Sequence, residues 1–193
     1  MVPIFLVGMH GCGKSFLAEG LARAHKKKFI STDALVEKSL SMPLAEIFNK
    51  YGENFYREKE KEIILSMCDK ESLNDCIISA GAHSVLSPQL RDLFQNKGKV
   101  IYVKATPETV YEHVTGTVYK ENNDQDTAQG PRLKVDMNKI RKAYNDHHKF
   151  YELCATDIID IDGLGKVDAF LKVNRIYEKM VCEKVRVMVN IDK

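Results

Sequence analysis

The sequence predicts an α/β fold, a parallel sheet covered by helices on both faces, and two observations carry that prediction. Short apolar runs at 3–7, 28–31, 75–79, 99–104 and 157–161 have the length and composition of buried strands. Between them lie segments with helical spacing of apolar residues, at 14–26, 33–39, 43–50, 53–70, 87–96, 107–115, 136–153 and 164–182. Strands that alternate with helices pair in parallel, because each crossover helix carries the chain back to the same end of the sheet. A sheet covered in this way is apolar on both faces.

The first strand runs into Gly8-Met9-His10-Gly11-Cys12-Gly13-Lys14-Ser15, the pattern G-x-x-x-x-G-K-S. Glycines let the backbone wrap phosphate oxygens so that successive N–H groups face them. A lysine at this spacing neutralises β/γ-phosphate charge, and the serine hydroxyl suits Mg²⁺. The helix that follows, with Leu17, Leu21 and Ala24 on one face, would put its N-terminus at the phosphates. Gly8, Gly11, Cys12, Gly13, Lys14, Ser15 and Phe16 are therefore the expected ATP contacts, with Ser15 also on Mg²⁺. The run Lys26-Lys27-Lys28 falls where this helix should end and suits its negative dipole end.

Phe29-Ile30-Ser31-Thr32-Asp33 closes the second strand. Strand C-termini face the ligand crevice of an open α/β sheet, so Asp33 is placed for an acceptor hydroxyl; it would also serve as an N-cap for the next helix. In Gly52-Glu53-Asn54-Phe55-Tyr56-Arg57-Glu58-Lys59-Glu60, Arg57 has the planar fork for an anion, or is a solvated helix charge. Ile77-Ile78-Ser79-Ala80-Gly81-Ala82-His83 ends the third strand in small residues that admit a ligand, and Ser79 is a candidate supporting group for Mg²⁺. Ser87-Pro88 and Thr106-Pro107 each put a capping residue before a proline at the first helical position. Residues 116–132 are polar and end in Gln-Gly-Pro-Arg, which reads as a surface loop and a candidate lid. Arg132 at its end could close on transferring phosphate. The tail at 184–191 alternates weakly and suggests an extra edge strand.

Composition narrows the function classes. The chain has 193 residues, 44% of them apolar, and a formal net charge of +2. That fits one domain, with a C-terminal extension at about 184–193, and the charge is too small to argue for nucleic acid. No apolar stretch approaches the length of a membrane span, and the N-terminus enters a strand at once, so neither membrane nor signal peptide is expected. The five cysteines form no C-x-x-C pair and the six histidines show no ligand spacing, which points to reduced thiols in the cytoplasm and away from zinc.

The order of these motifs resembles the shikimate kinase family, within the nucleoside-monophosphate-kinase-like branch of P-loop proteins. Members carry Phe-Ile-Asp-Thr-Asp where this chain has Phe29-Ile30-Ser31-Thr32-Asp33, and Gly-Glu-x-x-Phe-Arg-x-x-Glu where it has the segment from Gly52 to Glu60. Ser79-Ala80-Gly81-Ala82-His83-Ser84-Val85 is similar to the family's Ser-x-Gly-Gly-Gly-Ala-Val. Pro131-Arg132-Leu133 resembles its lid arginine, with proline and arginine swapped, and Tyr151-Glu152-Leu153-Cys154-Ala155-Thr156-Asp157 its closing helix. The resemblance covers about residues 4–162. It implies a three-layer α/β/α P-loop fold with a five-stranded parallel sheet in the order 2-3-1-4-5.

It also implies ATP- and Mg²⁺-dependent transfer of the γ-phosphoryl group to a small anionic acceptor by a monomer or weak dimer. Lys14, Asp33 and Arg132 would be catalytic. Asp33, Arg57, Gly81, Ala82, His83 and His147 would line the acceptor site, and Ser15 and Ser79 the metal site. The departures fall in the same places. Ser31 replaces an acidic residue that helps hold Mg²⁺ through water. Ala82 and His83 replace glycines that lie against shikimate. A carboxylate-binding arginine aligns with His147, and an adenine-contacting arginine with His113. With that pocket altered, a kinase of the same fold for gluconate or a nucleoside monophosphate stays open, as does a nucleotide-binding module without turnover.

Overall fold

The computed structural model describes residues 2–68, 73–121 and 135–191. Five parallel strands form one sheet: β1 (Ile4–Val7), β2 (Lys28–Ser31), β3 (Cys76–Ser79), β4 (Lys99–Lys104) and β5 (Asp157–Asp160). Their order is β2-β3-β1-β4-β5, as expected from the sequence. Helices α1 (Lys14–Ala24), α2 (Thr32–Leu40), α3 (Leu44–Cys68), α4 (Pro88–Lys97), α5 (Pro107–Glu121) and α6 (Met137–Cys154) occupy the crossovers, and α7 (Lys166–Ile191) follows β5. α1 packs with α7, while α4 packs with α3 and α6, so the sheet lies between two helical layers. Every residue of β1 is buried, as central strands require, and Phe5 stacks on Phe94 of α4 with ring centres 4.5 Å apart.

Strand register sets the site. Leu6 lies opposite Ser79, and Ser79 opposite Ser31. The loops leaving β1, β2 and β3 therefore emerge at one edge of the sheet, side by side. The Ala80 N–H donates to the Leu6 carbonyl at 3.0 Å and extends the pairing one residue past β3.

Several local expectations are corrected. α3 joins the two helices expected at 43–50 and 53–70, with a kink at Gly52, whose φ of 79° suits a residue without Cβ. Asp33 does not end β2: the strand stops at Ser31, whose side chain caps α2 by accepting from the Ala34 N–H at 3.3 Å, and Asp33 sits in the first helical turn. Lys27 pairs with Asp75 at 3.0 Å and Lys28 enters β2, so the basic run also ties the end of α1 to the approach to β3. α5 continues through 116–121, the first part of the expected lid, because an interior glycine costs a helix only about 1 kcal/mol. Residues 122–132 of that lid lie outside the described residues. The tail at 184–191 is helical and not a strand, since extending the established α7 costs less than starting a new element. Among the described residues no helix is long and apolar enough to cross a membrane.

Candidate active site

The chain leaves β1 at Gly8 and enters α1 at Lys14. A Cβ on Gly8 would stand 2.5 Å from the Val103 carbonyl oxygen, so only glycine lets the loop lie this close to β4. Gly11 also faces inward, against Val114 of α5. Gly13 precedes α1 in the left-handed region and gives no side-chain cap, which leaves the first-turn N–H groups for a ligand. Lys14 is only 8% exposed, and its Nζ donates to the Met9 carbonyl at 2.9 Å across the loop. Cys12 contributes backbone alone: its thiol is fully buried, burial pushes it up, and its N–H donates to Met9 O at 3.3 Å.

The Ser15 and Ser79 hydroxyls lie 3.0 Å apart, one at the start of α1 and one at the end of β3. These hard oxygen donors beside a phosphate-type loop fit Mg²⁺, which is held by few protein oxygens and largely by phosphate. Phe16 is half exposed, with Lys166 Nζ 5.6 Å from its ring centre. His113 comes in from α5, its Nδ1 3.3 Å from the Gly11 carbonyl oxygen. A cavity of about 540 Å³ is lined by His10, the loop from Gly11 to Ser15, Phe16, Asp33, His113, Leu164 and Lys166. That volume suits a small-molecule cofactor.

On the same cavity as Lys14, Asp33 Oδ1 accepts from the Tyr56 phenol. Burial and the charges of Glu60 and Asp33 raise Tyr56 well above its ordinary value, so the phenol remains a donor. Behind this pair, Glu60 Oε1 accepts from the Thr32 hydroxyl at 2.6 Å and from the Gly81 N–H at 2.9 Å. Glu60 is 1% exposed, and burial pushes its carboxyl up to about 7 against the opposing pull of the Thr32 bond. A Cβ on Gly81 would stand 2.2 Å from Glu60 Oε1 and 2.8 Å from Asp33 Oδ1, so Gly81 is the floor on which both carboxyl groups meet.

A second cluster lies beyond His10. Arg57 Nη2 donates to Glu53 Oε1, and the same oxygen lies 3.1 Å from His83 Nε2. Arg57 Nε is buried with no hydrogen-bond partner. The His83 and His147 rings meet edge-on with centres 5.3 Å apart. Burial and then the Arg57 charge hold His83 down to about 4, and the same causes in the same order lower His147. Ala82 is fixed through its backbone, its carbonyl accepting from the Tyr151 hydroxyl at 2.7 Å.

The expected residues thus gather as two neighbouring groups. Gly11, Cys12, Gly13, Lys14, Ser15, Phe16, Asp33 and His113 line the cavity, while Gly8 starts the loop against β4 and Ser79 stands behind Ser15; Arg57, His83 and His147 form the second group, with Gly81 and Ala82 between. Arg132 lies outside the described residues. Sequence reasoning missed Glu60, Tyr56 and Thr32 as site residues. A signal existed: Tyr56, Glu60, Ile64 and Cys68 recur every fourth residue on one face of α3, so Glu60 stands in an otherwise buried stripe. His10 and Glu53 carried no comparable mark.

Comparison with known proteins agrees with this architecture. The shikimate kinase family model matches residues 10–181. The shikimate kinase of Francisella tularensis subsp. novicida is 28% identical over 177 residues, covering 87% of this chain and 93% of the relative. In structure, the shikimate kinase of Acinetobacter baumannii in complex with shikimate superposes with a TM-score of 0.77 at 21% identity, covering 95% of each chain. The Bacteroides thetaiotaomicron shikimate kinase gives 0.72 at 23%, covering 92% of this chain and 98% of the other. At these identities the superpositions establish the fold alone. The family model, spanning most of the sequence, goes further: the chain belongs to the shikimate kinase family, phosphotransferases that use ATP and Mg²⁺ to phosphorylate a hydroxyl group.

Proposed function

We propose that this protein transfers the γ-phosphoryl group of ATP to a hydroxyl of a small anionic acceptor, with shikimate the first candidate. One observation carries the proposal: Lys14 and Asp33 line the same cavity, a buried cation on the phosphate side and a carboxyl group on the acceptor side. Phosphoryl transfer needs little covalent help from the protein, so positioning and electrostatics supply the catalysis.

ATP would lie along the loop from Gly8 to Ser15, its base near Phe16 and His113. Ser15 would hold Mg²⁺ with Ser79 supporting it, and the ion, when bound, neutralises phosphate charge. Lys14 would stabilise charge on the transferring group. Asp33, oriented by Tyr56 through Oδ1, keeps its other oxygen for the acceptor hydroxyl and its proton. Arg57, Gly81, Ala82, His83 and His147 would line the acceptor side, and Arg132 would close on the phosphate. Residues 1–193 would work as one kinase domain, monomer or weak dimer, in the cytoplasm. The test is a panel of acceptors that includes shikimate, gluconate and AMP, followed by coupled detection of ADP. Acceptor-dependent ADP release with a hydroxy acid supports the proposal. Turnover with AMP alone, or nucleotide binding without turnover on any acceptor, overturns it.

A further inference from the structure

We propose that Tyr56 is a positioning residue for phosphoryl transfer: its hydroxyl tethers Asp33 away from Lys14 and so keeps the space between them open for phosphate and the acceptor hydroxyl. The inference rests on the reading of Lys14 and Asp33 given above and names the residue that holds them apart.

Lys14 and Asp33 line one cavity, and opposite charges that share a cavity attract. The other titratable groups about Asp33 are Glu60 from α3 and His10 from the phosphate loop, and Lys14 acts on both of these as well. Each member of the pair is nevertheless held elsewhere. Lys14 Nζ donates to the Met9 carbonyl at 2.9 Å, and Asp33 Oδ1 accepts from the Tyr56 phenol. Among the described residues no ion pair joins Lys14 to Asp33. An aspartate side chain turns about two torsions, the second of them soft, so one bond to a fixed donor decides where the carboxylate points.

The donor is fixed. Tyr56 is 2% exposed and belongs, with Val36 and Ile47, to a small core between α2 and α3 that is separate from the main one. Its ring meets that of Phe48 with centres 4.9 Å apart. Packing therefore sets where the hydroxyl stands, and the hydroxyl sets Oδ1. Phenylalanine would fill the same core without the hydroxyl, and phenylalanine is the residue of the family motif at this position. Oδ1 would then face an apolar ring and the Glu60 carboxyl group. A Cβ on Gly81 would meet both Glu60 Oε1 and Asp33 Oδ1, so these two oxygens already stand close together. Two carboxyl groups in one place disfavour each other's charge. With no donor on that side, Asp33 would turn into the cavity and pair with Lys14, which would occupy the cation that phosphate needs. The tether thus acts through the hydroxyl of Tyr56 and not through its ring.

The probe is a non-hydrolysable ATP analogue with Mg²⁺, titrated calorimetrically into the native protein, Tyr56→Phe, Asp33→Asn and the double variant. Tyr56→Phe should bind about tenfold more weakly than the native protein, because Asp33 then competes with phosphate for Lys14. Asp33→Asn should bind within about threefold of the native protein, since a tethered Asp33 does not compete. Adding Tyr56→Phe to Asp33→Asn should change the affinity no further, because no carboxylate is left to restrain. In turnover with saturating shikimate and ATP, Tyr56→Phe should lower kcat about tenfold with little change in the acceptor KM. Analogue affinity or kcat unchanged by Tyr56→Phe overturns the proposal. Weakening that is equal with and without Asp33 belongs to packing and also overturns it. Asp33→Asn that binds about tenfold or more tightly than the native protein would show Asp33 already on Lys14, and overturns it without any change at Tyr56. The binding measurements use no acceptor. Lack of acceptor-dependent turnover by the native protein would therefore remove the transfer reading, and the positioning role with it, while the analogue affinities still decide whether Tyr56 tethers Asp33.

Discussion

The Thr32 hydroxyl donates to Glu60 Oε1 at 2.6 Å, and the Gly81 N–H is shared between these two oxygens. This contact joins α2, α3 and the loop after β3, so the Asp33 side of the cavity rests on a buried carboxyl group.

The first prediction concerns that group. Glu60 is pushed from its ordinary 4.5 up to about 7 in the folded protein. Its contribution to stability is therefore fully present below about 4.5 and lost as the pH rises through about 7. His10, His83 and His147 are held low and act oppositely: their contribution is present above 6.5 and lost as the pH falls. A comparison of the protein with Glu60→Gln isolates the carboxyl, because the amide oxygen still accepts both bonds. The variant should match the native protein near pH 4 and exceed it near pH 8 by a few kcal/mol, on the order set by the shift. Urea midpoints at the two pH values measure this, and equal midpoints at both would contradict it.

Lys14→Ala should lower kcat by roughly 10²–10³-fold or more, as loss of a preorganised charge-stabilising donor does. The fold should survive, because among the described residues the side-chain bond lost is the one to the Met9 carbonyl, worth about 1 kcal/mol. Circular dichroism with steady-state kinetics checks both halves, and unchanged turnover would remove Lys14 from the chemistry.

Arg57→Ala should raise the acceptor KM about ten- to a hundredfold, the cost of losing a charge-assisted hydrogen bond. The ATP KM should hold, since Arg57 is not among the groups lining the nucleotide cavity. Equal effects on both substrates would place Arg57 elsewhere.

Gly8→Ala should destabilise the protein by about 1–3 kcal/mol and weaken nucleotide binding, because its methyl would collide with the Val103 backbone as well as with the buried Cys12 Sγ. Thermal unfolding with and without an ATP analogue measures both effects. An unshifted midpoint would mean that the loop relaxes without cost.

Much of this was legible in the sequence because local rules sufficed. The apolar runs are short enough to be strands, the loop pattern sets its own geometry, and Ser87 caps α4 as its Ser-Pro pair signals. Asp33 could be named because its motif lies at a strand end, and Arg57 because the segment from Gly52 to Glu60 resembles a family motif. The fit of Glu60 between Thr32 and Gly81 was not legible, since a glutamate on an amphipathic helix ordinarily faces water and only the packing of α3 turns it inward. The edge-on meeting of His83 and His147 joins residues 64 positions apart and depends on how α6 crosses the sheet. The tail misled because weak alternation of β-branched residues cannot outweigh a helix already in progress.

The most direct test of the phosphoryl-transfer assignment is acceptor-dependent ADP release by the native protein and by Asp33→Asn, with Mg²⁺-ATP and shikimate. The geometry predicts turnover that requires the acceptor, and in the variant a fall in kcat of roughly 10²–10⁴-fold with little change in either KM, as removal of a positioned base does. Native turnover retained in Asp33→Asn, or ADP released at the same rate without acceptor, would contradict it.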